Sequence, residues 1–355
     1  MAGVLWQKRT LRLAPRPQAN SGPERVGKQS YFHHKIVASL QAAGGSEFLA
    51  ANLTQVCRPC QSRDYCMIVP QELIVNCGKT PERQEWLRSL PGLVEELTRR
   101  WSLRLDVPFE HANVTCSWVA AVLRPDGTPA VLKLGMPHME GAHEIQGLRF
   151  WNGDPSVRLL AADEKVGAML LERCRPGYTL RSEPEEKQDL VIAGLLKRLW
   201  RKSASSTGLY GFRHLSELLN AWRQETLDQA AYWPDAGLVR EGLQIFQALG
   251  NPAEADALLA TDLHAGNVLR AVREPWLVID PKPFVGDPAY DVVQHLHNCE
   301  ARLHADPQGM VKRLGELTGV DGERLQLWTF ARAAADPRPD WGNQLWMDIA
   351  RALAP

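Results

Sequence analysis

A chain of 355 residues, with 45% hydrophobic and 23% charged side chains, is long enough for one large or two modest domains with a real core. Lys and Arg together number 41, as do Asp and Glu, so the formal net charge is zero and no broad field gathers nucleic acid or an anionic membrane surface. No apolar run approaches the about 18 residues of a membrane-spanning helix and no compact apolar leader opens the chain, so a cytoplasmic protein without membrane or nucleic-acid partners is expected.

Residues 1–66 differ from the rest: nine basic residues stand against three acidic ones, and periodicity is confined to a short stretch near Ile36 to Leu40. We read them as a basic, disordered extension, with Met67 as a natural start; a nucleic-acid arm and a transit-like peptide are rival readings. Cys57, Cys60 and Cys66, with Cys77 farther on, lack the two close pairs of a zinc ribbon, and Cys116, Cys174 and Cys299 are too scattered for a disulfide framework. Reduced thiols are expected.

From Pro81, Trp86, Leu87, Leu90, Leu93, Val94, Leu97 and Trp101 recur at helical spacing and predict one or two amphipathic helices. Ser117 to Leu123 and Ala130 to Leu134 predict strands joined by the turn Pro125-Asp126-Gly127-Thr128. A helix from about His138 to Trp151 follows, then a second hairpin of Val157 to Ala161 and Ala168 to Glu172. After Pro176 the pattern is largely helical, with apolar periodicity over 190–199 and 215–222. The order predicts an α+β chain: a small sheet-rich lobe over residues 67–174 and a larger helical lobe over 175–355.

Leu258 to Leu269, followed by the apolar strand Trp276 to Ile279, places Asp262, Asn267 and Asp280 in one neighbourhood, because a tight loop and a hairpin separate them. Phosphoryl transfer to an alcohol needs a base beside the hydroxyl and oxygen ligands for a magnesium ion on the phosphates. An isolated Asp is more often a solvated or capping group and an Asn near Gly a turn residue; the combination favours the chemical reading.

Asp262-Leu263-His264-Ala265-Gly266-Asn267-Val268-Leu269, with Ile279-Asp280-Pro281-Lys282-Pro283 and Val285-Gly286-Asp287-Pro288-Ala289-Tyr290-Asp291, resembles the aminoglycoside and hydroxyurea phosphotransferase family, especially its streptomycin 6-phosphotransferase branch, from about Pro70 to the C-terminus. The resemblance implies a two-lobed protein-kinase-like fold using ATP and Mg2+, with Asp262 as base and Asn267 and Asp280 as metal ligands. Many relatives carry His-Gly where this chain has Ala260-Thr261.

On such a fold Lys133 is the expected phosphate-facing cation and Glu144 its ion-pair partner, with Glu140 second, although a strand lysine taken alone is more often a snorkelling edge residue. Asn113 to Ser117 contains no glycine, so a phosphate cradle there needs the hydroxyls of Thr115 and Ser117 besides backbone amides. Leu170 to Gly177 reads as a hinge whose Glu172 and Cys174 backbone groups meet the adenine edge, with Cys174 equally readable as a core residue. Asp287 before Pro288 is an N-cap; His264 and Lys282 are open between structural and substrate-facing roles.

The expected partner is a small hydroxyl acceptor bound by a monomer or weak homodimer. A cationic acceptor would need further carboxylates, for which Asp291, Glu300, Asp336 and Asp340 are candidates. A kinase for a sugar, choline or similar metabolite, and a nucleotide-binding protein without turnover, are the alternatives.

Overall fold

The computed structural model describes residues 69–109, 115–201 and 211–355. The extension with Cys57, Cys60 and Cys66, and the residues Asn113 and Val114 named above, lie outside them.

Two helices open the described chain, α1 (Gln71–Cys77) and α2 (Pro81–Arg100), the second capped by Thr80 with Pro81 at its first position. Five antiparallel strands follow: β1 (Arg104–Pro108), β2 (Ser117–Leu123), β3 (Pro129–Gly135), β4 (Leu159–Asp163) and β5 (Ala168–Glu172), in the order β1-β2-β3-β5-β4. Register decides what the sheet does. Ala130, Leu132 and Leu134 alternate onto the face that packs with Trp86, Leu90, Val94 and Leu97 of α2. Val119, Lys133 and Met169 stand in register across β2, β3 and β5, as do Ala121, Val131 and Leu171, on the opposite face.

Helix α3 (Glu144–Trp151) lies between β3 and β4. Its expected start at His138 is not observed, because residues 139–143 form turns that place Glu144 in the first helical turn. The expected strand at Val157 begins instead at Leu159: the Val157 N–H donates to the Val278 carbonyl at 3.0 Å, outside this sheet.

The helical half contains α4 (Glu185–Leu199), α5 (Leu215–Asp228), α6 (Ala236–Leu249), α7 (Pro288–His297), α8 (Glu300–Ala305), α9 (Pro307–Thr318), α10 (Gly322–Ala335) and α11 (Gln344–Leu353). Two small ribbons sit in it, β6 (Ala257–Leu259) with β9 (Phe284–Gly286) and β7 (Val268–Arg270) with β8 (Trp276–Val278), all antiparallel. Their cross-connections frame two loops, one carrying Asp262 and Asn267, the other Asp280. Leu258, Val268, Val278 and Phe284 sink into the core built by α4 to α11, which anchors both loops. Among the described residues no helix is long and apolar enough to cross a membrane.

Gly147 explains how the halves meet. A Cβ there would lie 2.4 Å from Pro283 Cγ, so only glycine lets α3 approach the segment after Asp280 this closely.

Asp287 caps α7 as expected, accepting from the Ala289 N–H at 3.0 Å, and its other oxygen accepts from Trp328 Nε1 at 2.5 Å and from Arg324. Asp287→Ala removes a cap and orphans a buried indole N–H. We expect a loss of about 2–4 kcal/mol in chemical denaturation; a loss below about 0.5 kcal/mol would show that neither bond matters to the fold.

Candidate active site

A cleft of about 1710 Å³ opens between the sheet and the helical half, lined by Thr115, Ser117, Lys133, Glu144, Glu172, Cys174, Asn267 and Asp280 among others. Its apolar wall is built from Val119, Val131, Met169, Leu171, Leu269 and Ile279.

Lys133 is the centre of its polar end. Alternation along β3 turns the ammonium into the cleft, where it meets Glu144 Oε1 at 2.6 Å and Oε2 at 2.7 Å, and Asp280 Oδ1 at 2.5 Å. Burial opposes the charge, but the two carboxylates outweigh it and hold Lys133 above the ordinary lysine range. Desolvation likewise opposes ionisation of Asp280, yet Lys133 and Lys282 keep it below the usual carboxylate range. Glu140, the second candidate partner of Lys133, instead stands 4.0 Å from Lys282.

Asp262 is gripped at both oxygens. Lys282 Nζ donates to Oδ2 at 2.5 Å and Gln294 Nε2 donates to Oδ1 at 2.8 Å. Lys282 therefore faces Asp262, and Asp262 in turn raises the lysine's pKa against the effect of burial. Asn267 donates from Nδ2 to the Asp262 carbonyl at 3.0 Å. Because a carbonyl only accepts, this bond sets Nδ2 toward Asp262 and leaves Oδ1 as the other end of the amide.

The loop backbone is held under strain. Thr261 and Asp280 adopt φ of 49° and 52°, a left-handed region that non-glycine residues rarely enter. Asp291, fully buried on α7, accepts from the Ala260 N–H at 3.0 Å, the Thr261 N–H at 2.7 Å and Trp200 Nε1 at 3.0 Å. Burial pushes its carboxyl up to about 6 against these three donors. Its oxygens are committed to the loop, so it is not an acceptor-facing carboxylate.

His264 is structural. Its Nδ1 accepts from the Gly266 N–H at 3.0 Å and faces Arg181 Nη2 at 3.2 Å, which leaves the proton on Nε2, 3.9 Å from Asp262 Oδ1. Burial pushes its pKa down to about 4, aided by Arg181 and Lys282 and opposed by Asp262.

At the connector, Glu172 departs from expectation in part. Its N–H already donates to the Arg158 carbonyl at 2.9 Å, and its side chain pairs with Arg273 at 2.8 Å. Its amide is therefore already engaged at the connector. Cys174 forms part of the wall, its thiol pushed up to about 12 by burial and the neighbouring Glu172, hence protonated. Thr115 and Ser117 reach the cleft mouth, with the Thr115 carbonyl tied to Asn76 Nδ2 at 3.0 Å.

Neither Gln294 nor Arg332, which donates to Gln294 Oε1 at 3.0 Å, stood out in the sequence. Gln294 lies on an amphipathic helix and Arg332 on a largely buried one, and only tertiary packing brings the pair together beside Asp262.

Two lobes joined by a short connector, with a lysine paired to a helix glutamate above a loop carrying Asp and Asn, define a phosphotransferase of the protein-kinase-like fold. LicA in complex with AMP shares this fold, with a TM-score of 0.50 at 14% identity, covering 74% of this chain and 91% of that one. The sequence profile of the aminoglycoside/hydroxyurea antibiotic resistance kinases matches residues 100–337, and the chain belongs to that family. It is 38% identical to the streptomycin 6-kinase of Streptomyces glaucescens over 302 residues, covering 81% of this chain and 94% of the relative. It is 39% identical to the hydroxyurea phosphotransferase of Kitasatospora aureofaciens over 275 residues, covering 74% and 77%.

The His264 geometry has a pH consequence. Its folded pKa lies near 4 and its ordinary value is 6.5, so its contribution to stability is complete above 6.5 and is lost as pH falls toward 4. In His264→Asn the slope of unfolding free energy against pH over this window should become shallower, by up to about 1.4 kcal/mol per pH unit. Parallel profiles for variant and wild type would contradict the buried neutral imidazole.

Proposed function

We propose that this kinase transfers the γ-phosphoryl group of ATP, bound with Mg2+, to a hydroxyl of a streptomycin-like aminocyclitol, with hydroxyurea as the second acceptor. The observation that carries the reading is the cleft lined by Lys133, Asn267, Asp280 and Lys282, with Asp262 beside it, bonded to Lys282 at 2.5 Å and to Asn267 through its carbonyl at 3.0 Å. The split between acceptors follows the relatives: streptomycin 6-kinase and hydroxyurea phosphotransferase stand at 38% and 39% identity.

The donor set suits magnesium. Asp280, its side chain 42% exposed, and the Oδ1 of Asn267 are hard oxygen ligands. Glu144, Asp262 and Asp280 together bring three carboxylates against the two ammonium groups of Lys133 and Lys282, an excess of negative charge that a bound cation relieves. The metal–nucleotide complex, when bound, supplies the transferable group and offsets charge on the phosphates.

In this proposal residues 67–174 bind nucleotide, while residues 175–355 supply the catalytic groups and the acceptor site. Lys133, positioned by Glu144, meets phosphate oxygens, and Thr115 and Ser117 offer hydroxyls at the same end. The Glu172 carbonyl and the Cys174 backbone take the adenine edge against the Val131 and Leu171 wall. Asp262 accepts the acceptor hydroxyl's proton at whichever carboxylate lone pair Lys282 and Gln294 leave open. Lys282 also places a positive charge beside the oxygen that attacks.

Asp336 is linked to Asp262 through Arg332 and Gln294. Arg332 Nε donates to its Oδ2 at 3.0 Å, while Oδ1 is buried with no hydrogen bond among the described residues.

The test offers ATP, Mg2+ and separately streptomycin, hydroxyurea, choline and a hexose, with mass spectrometry reporting an added phosphate. Phosphorylated streptomycin or hydroxyurea is expected, with Asp262→Ala lowering turnover by about a hundred- to ten-thousandfold and leaving nucleotide affinity within a few fold. Asp280→Ala should weaken binding of the magnesium nucleotide. An added phosphate on choline or the hexose alone, or full turnover in Asp262→Ala, would sink the reading.

A further inference from the structure

Helix α7 carries Asp291 and Gln294 at i and i+3, on one face toward the loop that holds Asp262. The first supports the loop's backbone and the second touches its carboxylate.

A glutamine amide could meet Asp262 with either end, and an oxygen facing the carboxylate would repel it. Arg332 removes the ambiguity. A guanidinium has only donors, so the Oε1 of Gln294 must face Arg332 Nη1, at 3.0 Å, and Nε2 must then face Asp262 Oδ1, at 2.8 Å. Arg332 is itself immobilised: 6% exposed, bonded through Nε to Asp336, and stacked 5.1 Å from the Tyr290 ring centroid and 5.4 Å from that of Trp222.

We propose that Gln294 is a positioning residue for Asp262, its amide set by Arg332, so that α10 governs the orientation of a base it never touches. The proposal rests on the reading of Asp262 as the base. Lys282 holds one carboxylate oxygen and Gln294 the other, and two donors from different directions fix the plane of the group. A glutamine that merely filled space between α7 and α10 would not do so.

The test uses the full chain with ATP, Mg2+ and streptomycin, measuring kcat and the nucleotide KM for wild type, Asp262→Asn, Gln294→Ala and Gln294→Glu. Loss of the donor should lower kcat of Gln294→Ala by about ten- to a hundredfold, since small misplacements of reacting groups cost that much, while the nucleotide KM stays within twofold. Gln294→Glu preserves the shape and gives Arg332 an anion, but offers Asp262 no donor, so its kcat should fall at least as far with the same unchanged nucleotide KM. Because the glutamate is nearly isosteric, it keeps the question open to measurement if the alanine variant fails to fold.

Gln294 variants with wild-type kcat, or with kcat and nucleotide KM lost together, beside an inactive Asp262→Asn, would overturn this inference alone. An active Asp262→Asn would overturn the base assignment and this inference with it.

Discussion

The ammonium of Lys133, enclosed with carboxylates from both sides of the cleft, is the contact on which the site's geometry depends. One carboxylate comes from α3 above and the other from the loop after β8 below, so the ion pair spans the halves. Leaving Lys133 or Glu144 buried without the other would cost several kcal/mol, and the more exposed Asp280 closes on the same ammonium from below. Gly147 against Pro283 reinforces the same approach by packing. The cleft is thus set by one lysine and one missing side chain.

Below it, α7 organises the helical half's contribution. Asp287 begins the helix and grips α10 through Trp328, Asp291 holds the Ala260 and Thr261 amides, and Gln294 reaches Asp262. The first fixes the helix itself, and the other two fix the backbone and the Asp262 side chain of the loop. The left-handed Thr261 and Asp280 show why such support is required: each stores strain that surrounding bonds must offset. Ala260-Thr261 replaces the His-Gly pair noted in many relatives, and here the buried Asp291 supplies the restraint.

Much of this could be read from the chain because the chemistry is local. Asp262, Asn267 and Asp280 lie close in sequence around a short hairpin, and the alternation of β3 separates Lys133 from Leu132 and Leu134 without any tertiary information. Asp287 before Pro288 announces a cap. The choice between Glu140 and Glu144 turned on where α3 begins, and helix starts in turn-rich segments are weakly encoded. Strands β6 and β9 span three residues each, too short for a periodic signal. Gln294 and Arg332 are 38 residues apart on separate helices, so their meeting depends on packing. The same is true of Asp291, whose burial turned a candidate acceptor contact into a brace.

The central claim is that an acceptor hydroxyl meets Asp262 while Asp280 and Asn267 hold a metal–nucleotide opposite it. A crystal structure of the chain with Mg2+, a non-hydrolysable ATP analogue and streptomycin addresses this directly. The expected result is one acceptor hydroxyl about 2.6–3.2 Å from an Asp262 oxygen, with the metal on Asp280 and Asn267. A hydroxyl lined up with the phosphate against some other side chain, or a metal held elsewhere, would contradict the account.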